Sequence, residues 1–526
     1  MRKRILFETC LCMFVIMIML AIFSANATAK MTTSFHGYIE SNFVLRDADG
    51  IQYGFFDEAY GVQQRNTLKF DIDIEPDINF GSFIVGKVHL TFRGAYDSIF
   101  DLRSEDYDIT GNMGASRFDY GEDDIKYESD LREAFIDFVY TGDYGGGFFR
   151  PGRQIVSWGE GSLETLLDVI NPPDMSYNLF FQKPDDVKTP LWMGRINYDL
   201  PRFASTSINF DLLWIPDIRP TQFGPLDSEA GNPQVGLESP YVSITAFSDF
   251  KGIFNIREDV PTNNNEYGAR VRADISDRLT LSLVYFRDVV NEPGILLVNK
   301  DNTPTAILTH NKQHVYGGYF SYQLLLGRFE AIVRGEISRY TAYPINLPRS
   351  EYHLNPEGTG TMTFEYRPVT KALIAIDKDL RLKWLSRDLS QASFEWLHKT
   401  INEWDSKFSE EHLVSHFEGN TLIPNTYSSS RRYDRRNVRE QDVFMFRMRT
   451  SWWASKLVPA ILVAYNPGKH GEGGTGMTRF AIKWSITSQF YTTLRLQAFV
   501  GDDDASYAFS DGISTTEASV TFGYEW

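Results

Sequence analysis

The stretch LKFDIDI, Leu68–Ile74, alternates one apolar residue with one polar residue along its whole length. Successive side chains of a β-strand point to opposite sides, so this alternation predicts a strand with two different faces. One face would be wholly apolar, formed by Leu68, Phe70, Ile72 and Ile74. The other would be charged, formed by Lys69, Asp71 and Asp73. The stretch therefore predicts a strand with an apolar environment on one side and water on the other.

The same alternation recurs along the chain, for example in KVHLTFR (87–93), YGARVRADI (267–275) and RFAIKWSI (479–486). Segments of this kind predict eighteen strands, near 33–45, 64–76, 82–96, 129–141, 146–157, 187–200, 204–215, 266–275, 277–289, 312–325, 327–340, 367–378, 388–400, 440–452, 455–466, 477–487, 490–501 and 516–526. A soluble β-sandwich would show the same alternation, so the connections between the strands have to decide the fold class.

The predicted connections alternate between long and short. The first is long (46–63) and the second short (77–81), and the next two are again long (97–128) and short (142–145). Short turns at one end and long loops at the other are typical of outer-membrane barrels. We therefore predict an all-β chain that forms a transmembrane antiparallel β-barrel of about 18 strands, with short periplasmic turns and long extracellular loops. Sixteen strands stay open as the alternative, in case one pair of segments is misread.

The first residues have the three-part layout of a secretory signal peptide. Basic residues (2–4) precede an apolar run (11–23), and small residues follow it. We expect residues 1–27 to be the signal peptide, with cleavage after residue 29 as the alternative, and 28–526 to form a single barrel. No later apolar run approaches the ~18 residues of a transmembrane helix. A mature chain that spans a membrane would therefore do so as a closed barrel, in the outer membrane of a Gram-negative-type bacterium.

Cysteine content and charge exclude several classes of protein. Cys10 and Cys12 both lie in the predicted signal peptide, so the mature chain has no disulfide, no zinc–thiolate site and no cysteine nucleophile. The whole chain has a formal charge of −17 and the predicted signal peptide contributes about +2, so the mature chain is near −19. This acidity argues against a nucleic-acid partner.

Charged residues alternate with the apolar ones on many predicted strands, and they would face the inside of the barrel. The candidates for lining a pore are Lys69, Asp71, Asp73, Arg153, Arg195, Arg270, Arg272, Arg334, Glu336, Arg447, Arg449, Arg479, Lys483 and Arg495. Charges of this kind set the local potential in a water-filled pore and select which solutes pass. A wall of ion pairs that merely fills a closed barrel is the alternative interpretation.

One long connection, 158–186, differs from the others. In GSLETLLDVINPPDMS (161–176), apolar residues follow one another at helical spacing and Ser162 could cap the helix. A helix with one apolar side needs a surface to lie against, so we expect this loop to fold into the barrel and narrow it. Packing among the external loops is the alternative. The candidates for the constriction are Trp158, Leu163, Leu166, Leu167, Ile170, Asn171 and Pro172.

Three segments of the chain resemble a known family. The run GRQIVSWGEGSLETLLDVINPPDMS (152–176), with REAFIDF (132–138) before it and VRGEISRY (333–340) after it, resembles a large family of bacterial outer-membrane barrels that is catalogued as a domain of unknown function. The resemblance is strongest over 129–215. It implies a porin-like barrel that works beside envelope exporters of hydrophobic compounds and passes apolar or amphipathic molecules. It implies no catalytic residue.

Sequence motifs for catalysis or cofactor binding are weak. EHLVSH (411–416) places His412 and His416 four residues apart, but it lacks the glutamate that a zinc protease would use as its base. GEGGTG (471–476) has the composition of a phosphate-binding loop, but it lies between two predicted strands and has no helix after it. We therefore expect no enzyme activity, no metal site and no cofactor.

Two functions remain from the sequence. The first is a porin-like channel for passive or partner-coupled passage of small solutes, with a periplasmic or inner-membrane transporter as the expected partner in the coupled case. The alternative is a surface receptor or adhesin, or a sheath barrel around a partner, and the long connections 216–265 and 401–439 motivate it. The expected partners of the barrel itself are outer-membrane lipid and the barrel-assembly machinery.

The end of the sequence, ASVTFGYEW (518–526), is again strictly alternating. As the final strand of a barrel it must pair with the strand near 33–45, because a free strand edge cannot exist in lipid. Its aromatic residues Phe522, Tyr524 and Trp526 resemble the signal that the barrel-assembly machinery recognises.

Overall fold

The structure is a computed structural model. It describes residues 31–47, 60–76, 78–102, 126–161, 166–175, 187–223, 255–259, 265–291, 293–300, 303–327, 329–347, 352–356, 358–382, 384–386, 388–409, 416–418, 421–423, 439–467, 475–501 and 516–526. The predicted signal peptide, Leu163 and the helix cap Ser162 lie outside the described residues.

Eighteen long strands form one closed antiparallel sheet. They are β1 (Met31–Asp47), β2 (Tyr60–Pro76), β3 (Phe83–Asp97), β4 (Tyr127–Gly142), β5 (Gly145–Gln154), β6 (Leu191–Asp199), β7 (Ser207–Ile215), β8 (Glu266–Ser276), β9 (Leu279–Val289), β10 (Lys312–Leu326), β11 (Phe329–Asn346), β12 (Phe364–Leu380), β13 (Ser390–Ile401), β14 (Glu440–Arg449), β15 (Leu457–Asn466), β16 (Thr475–Ser485), β17 (Phe490–Gly501) and β18 (Thr516–Glu525). Each strand pairs with the next one along the chain, so the prediction of an 18-stranded barrel is confirmed and the 16-stranded alternative is not.

The barrel closes where the first strand meets the last. Strands β1 and β18 pair in antiparallel register from Tyr38, which lies opposite Glu525, to Asp47, which lies opposite Thr516. Next to this pairing, the backbone N–H of Trp526 donates to the carbonyl of Gly37 over 3.1 Å, and the Gly37 N–H donates back over 3.3 Å. The predicted pairing of the last strand with the first is therefore confirmed, and it gives the edge groups of both strands their partners.

Each strand has one apolar face and one mixed face, and cross-strand register keeps each face continuous. The outward face is rich in exposed apolar side chains, such as Leu283 (73% exposed), Trp214 (50%) and Leu68 (47%). The inward face of β2 carries Lys69, which lies opposite Tyr38 on β1 and Arg93 on β3. Exposed aliphatic and aromatic side chains on the outside of a closed barrel are the surface that lipid requires.

The connections differ between the two ends of the barrel, as the sequence predicts. Turns such as 143–144 and 277–278 join neighbouring strands at one end. At the other end, the connections carry the remaining small elements: helix α1 (Ile99–Leu102), a 3-10 helix (Ser406–Ser409), a five-stranded sheet (Asn255–Asp259, Gly294–Lys300, Thr303–Thr309, His353–Leu354 and Thr361–Met362), a parallel pair (Asp174–Met175 and Gln222–Phe223) and a hairpin (His416–Glu418 and Thr421–Ile423). The short strand Ile78–Phe80 extends the pairing with β3 at the short-turn end. Within the described ranges, no helix is both long and apolar enough to cross a membrane.

The closure can be tested with a disulfide, because the predicted mature chain contains no cysteine. Asn42 and Thr521 lie directly opposite each other on β1 and β18, and the Thr521 hydroxyl donates to the Asn42 side-chain oxygen over 2.8 Å. We expect Asn42→Cys with Thr521→Cys to form a disulfide on mild oxidation, seen as a mobility shift on a non-reducing gel.

The control for this disulfide is Asn42→Cys with Ser519→Cys. Ser519 lies two residues further along the same strand and pairs with Val44 instead. Diagonal neighbours of this kind are ~7–8 Å apart, which is too far for a strain-free disulfide. Crosslinking in the control pair but not in the first pair would contradict the observed register.

Candidate functional site

The segment that follows β5 (156–173) lies in the interior of the barrel in its described parts, 156–161 and 166–173. Trp158, Leu167 and Ile170 are each 1% exposed. They belong to one apolar cluster with inward-facing side chains of strands β6 to β13, among them Phe286 on β9 and Val315 on β10. The Trp158 ring meets the Phe286 ring edge to face, with 6.4 Å between the ring centroids. This part of the barrel interior is therefore solidly packed.

Leu166 extends the packing in a second direction. It is completely buried in a cluster with Leu373 and Ala375 on β12 and Leu397 on β13, and Val443 on β14 packs against this cluster. The segment therefore reaches from the end of β5 to the start of the next group of strands. Burial of a leucine side chain contributes about 1.5–3 kcal/mol, so these contacts hold the segment against the wall.

A single carboxylate on β11 holds the backbone of this segment. Glu336 accepts hydrogen bonds from the N–H groups of Glu160 (2.8 Å), Gly161 (3.3 Å) and Leu167 (2.6 Å). Gly159 has a φ of 110°, and a Cβ atom there would lie 3.0 Å from the Glu336 carboxylate. Only glycine adopts this conformation without strain, so the close approach of the backbone to Glu336 depends on it.

Asp211 on β7 is the second polar anchor of the segment. The indole N–H of Trp158 donates to its carboxylate over 3.1 Å. Arg195 on β6 forms a two-point ion pair with it (2.9 and 2.8 Å), and Arg270 on β8 adds a third contact at 3.0 Å. Asp211 is fully buried, and a buried carboxylate is stable only when it is paired and hydrogen-bonded in this way.

Side-chain hydrogen bonds close the base of the segment. The side-chain oxygen of Asn171 accepts the N–H of Val156 (2.8 Å), and its amide group donates to the carbonyls of Gln154 (3.3 Å) and Thr189 (2.9 Å). The Thr189 N–H donates in turn to the carbonyl of Pro172 over 2.8 Å. Asn171 therefore ties the two ends of the segment together.

A buried ion pair lies beside this base. The ammonium group of Lys188 donates to Asp168 and to the hydroxyl of Ser157. Burial raises the pKa of the Asp168 carboxyl, and the Lys188 charge and the hydrogen bonds oppose this increase without cancelling it. On β11, the Tyr340 hydroxyl donates to the carbonyl of Leu166 over 2.6 Å.

The structure brings the predicted constriction residues together, with one difference in their local conformation. Trp158, Leu166, Leu167, Ile170, Asn171 and Pro172 all lie in the inward segment, and Leu163 falls outside the described residues. The described part of 161–176 forms a turn at Leu166 and Leu167 and then irregular backbone, not the predicted helix. The placement in the interior agrees with the first interpretation of this loop; that it restricts a solute path stays a prediction.

The predicted pore-lining residues all lie on the strands as expected, but they divide into two groups. In the first group, each charged side chain forms an ion pair or hydrogen bonds with other parts of the protein. Arg195 and Arg270 share Asp211, and Glu336 holds the inward segment. Arg153 pairs with Asp130 (2.8 Å), and Arg334 pairs with Asp377 (2.5 Å) and Glu395 (3.0 Å).

Mixed pairs line the inward face of β1 to β3. Asp73 accepts from Lys87 (2.8 Å) and His89 (2.5 Å), and Asp71 accepts from the hydroxyl of Thr91 (2.5 Å). Lys69 lies 3.9 Å from Asp71. On β8, Arg272 pairs with Asp274 at 3.2 Å, and both side chains are about 40% exposed, at 43% and 41%.

The second group lies on β14, β16 and β17, and its members are less enclosed. Arg447, Arg449 and Lys483 are exposed although they point into the barrel, and Arg479 and Arg495 are partly buried there. No cluster of three or more metal-ligating side chains occurs in the part of the chain that the structure describes.

Residues that the sequence did not single out complete the interior. Tyr340, Lys188 and Phe286 contact the inward segment directly. Lys188 lies at the start of a predicted strand (187–200), where no alternation singles it out. Alternation sorts side chains into two faces, but it cannot show which residues of a face the segment touches. The connections 216–265 and 401–439, which motivate a receptor or sheath, lie largely outside the described residues, so that hypothesis stays a prediction.

The sequence and the structure were compared with known proteins. The sequence matches the family described as "Protein of unknown function (DUF1302)" over residues 53–524. A search of curated proteins gives no match. Among solved structures, the chain is similar to OccK5 (OpdH) of Pseudomonas aeruginosa, at 9% identity and a TM-score of 0.44 over 94% of this chain and 97% of that one. It is also similar to OccAB1 of Acinetobacter baumannii, at 8% identity and a TM-score of 0.46 over 94% and 96% of the two chains.

The role of Glu336 can be tested by labelling a buried cysteine. Ile170→Cys introduces a thiol at a position that is 1% exposed, into a mature chain expected to have no other cysteine. We expect a maleimide to label it slowly, and Glu336→Gln to speed the labelling at least tenfold, because glutamine has one acceptor oxygen for three N–H groups and no charge.

The matched control for that experiment is Glu330→Gln on the same strand. Glu330 accepts a hydrogen bond from Gln323 and makes no contact with the segment. Equal labelling rates in the Glu336→Gln and Glu330→Gln backgrounds would show that Glu336 does not hold the segment in place.

The Asp211 anchor predicts a large effect on stability. Asp211→Asn leaves Arg195 and Arg270 buried with no carboxylate between them, which costs about 3–5 kcal/mol of unfolding free energy. Asp274→Asn is the matched control, because its pair with Arg272 is exposed and contributes about 0–1 kcal/mol. Urea unfolding in lipid vesicles, followed by tryptophan fluorescence, measures both. Similar losses in the two variants would contradict the assignment of Asp211 as an anchor.

Proposed function

The chain belongs to the DUF1302 family of proteins of unknown function, and we propose that it is a porin-like channel of the outer membrane through which small solutes pass. The closed barrel and its apolar outer surface suit this location, since the strands can cross lipid with every backbone group paired. The channel is the remaining space between the inward segment Val156–Pro173 and the opposite wall of the barrel.

One observation supports the channel above all: among the described residues, inward-facing charged groups are enclosed on one side of the interior and exposed on the other. On the packed side, Asp211 is 0% exposed and is enclosed by its partners. On the opposite side, Lys483 points inward from β16, and its side chain is 45% exposed. An ammonium group in the interior of a transmembrane barrel needs water around it, because an unsolvated charge there costs several kcal/mol or more. We therefore infer a water-filled path along β14 to β17.

The inward segment would set the width of this path. It packs against the side formed by β6 to β13, and the cluster around Leu166 extends to Val443 on β14. A barrel of this strand number would otherwise hold a wide aqueous lumen. A narrowed path suits small solutes, including the apolar or amphipathic molecules that the family resemblance implies, with passage either passive or coupled to a periplasmic or inner-membrane transporter.

Planar-bilayer recording tests the channel. We expect the purified protein to give discrete conductance steps in potassium chloride, and Ala460→Trp to lower the step size, since Ala460 lies on the inward face of β15, opposite Arg449. Ile461→Trp is the matched control: it adds the same side chain one residue further on, where it points outward and is 37% exposed. A folded protein that gives no current, or steps that shrink equally in both variants, would refute the proposal.

A further inference from the structure

The arginines of the interior differ in how their charge is balanced. Arg195, Arg270 and Arg334 are each within 3.0 Å of a carboxylate that is buried or nearly so. Arg447 and Arg495 form no ion pair with any residue that the structure describes. Arg447 interacts with Asp377 and Arg495 with Glu40 only at longer range, so these two arginines keep more of their charge available to attract an ion from solution than the first three do.

Arg447 and Arg495 belong to one continuous surface, which we call the cationic wall: the inward face of β14 to β17. Within the described residues of these four strands, it carries five cations and no carboxylate: Arg447, Arg449, Arg479, Lys483 and Arg495. Glu440 and Asp442 of β14 have the same parity as Phe444, so they lie on the outer face. The chain is acidic overall, so a wall with cations alone stands out from its average composition.

Small and aliphatic residues separate the cations of the wall. Leu462 lies between Arg447 and Arg479 in one row of cross-strand neighbours. In the next row, Ala460 and Ala481 lie between Arg449 and Arg495. The wall therefore places apolar side chains next to guanidinium groups. This combination fits a molecule that has a negatively charged head and an apolar body.

We propose that the cationic wall is a binding surface for amphipathic organic anions, namely solutes that join a single carboxylate to an aliphatic or aromatic body. This inference rests on the proposed channel and names the class of solute that the channel prefers. Guanidinium groups bind carboxylates with charge-assisted hydrogen bonds, and the apolar body replaces water on the alanine and leucine surface between them.

The spacing of the cations favours a single negative charge that moves from one site to the next. Neighbouring strands are ~4.8 Å apart, so Arg447 and Arg479, two strands apart, are separated by about 10 Å at the backbone. Arg195 and Arg270 are also two strands apart and share the carboxylate of Asp211, so two arginines at this separation can approach one carboxylate from both sides. Successive weak sites let an ion enter and leave, which conduction requires.

Three probes of matched structure test the chemistry in bilayers. Hexanoate has a carboxylate and an apolar body, acetate has the carboxylate alone, and hexylammonium has the body with the opposite charge. We expect hexanoate to reduce the potassium chloride current at concentrations at which acetate and hexylammonium do not. Reversal potentials in a salt gradient should show a preference for chloride over potassium. Equal block by hexanoate and hexylammonium, or by hexanoate and acetate, would overturn the proposal.

The double variant Arg447→Gln with Arg495→Gln removes the two unpaired arginines. We expect the half-blocking concentration of hexanoate to rise about tenfold, since each lost charge-assisted contact weakens binding. The matched control removes two cations from exposed turns, Arg278→Gln with Lys456→Gln, and should leave the block unchanged. An unchanged half-blocking concentration in the first variant would also overturn the proposal.

Equilibrium dialysis of labelled hexanoate against the purified protein separates this inference from the channel itself. If no current flows but hexanoate binds and the double variant loses that binding, the channel proposal fails and the binding surface stands. If current flows without any preference for hexanoate in either assay, the channel stands and the binding surface fails.

Discussion

The pairing of the first strand with the last is the constraint on which the rest of the structure depends. In hydrocarbon, a backbone N–H or C=O group without a partner costs several kcal/mol, and an open strand edge would leave a whole row of them unpaired. The register between β1 and β18 removes that edge. Closure in turn fixes an inside and an outside, so the same alternation that makes each strand also sorts its charges inward and its aliphatic side chains outward.

Closure leaves an interior that is wide for its side chains, and the chain fills it unevenly. One side is occupied by the segment Val156–Pro173, whose hydrogen bonds converge on Glu336 and Asp211. Each of these carboxylates accepts several hydrogen bonds, so removing its charge leaves several donors without a good acceptor at once. The other side keeps charged groups that form no close ion pair within the described residues, such as Arg447, whose interaction with Asp377 acts at longer range. Rigid support and an accessible surface are thereby separated within one barrel.

The sequence predicted the strands well because a two-residue period needs only local information. It predicted the inward segment but not its conformation. Leu166 and Leu167 were expected on one face of a helix, yet they pack against two different groups of strands, and the N–H of Leu167 donates to Glu336 instead of to a helical carbonyl. The alternation also showed which charges point inward, but not which of them pair. Arg195 and Arg270 meet at Asp211 only because β7 lies between β6 and β8.

The apolar cluster around the inward segment has a consequence for the order of assembly. Its members, from Val156 to Phe408, come from one uninterrupted half of the chain. The contacts within that half join residues that are only moderately far apart along the chain, so its apolar core can form at a moderate cost in chain entropy. The seam between β1 and β18 joins residues separated by nearly the whole sequence and encloses mainly polar side chains. The two halves of the barrel therefore differ in what drives them together. The packed half is stabilised by its own apolar core, whereas the half that contains the seam depends on the membrane to make an unpaired edge unfavourable.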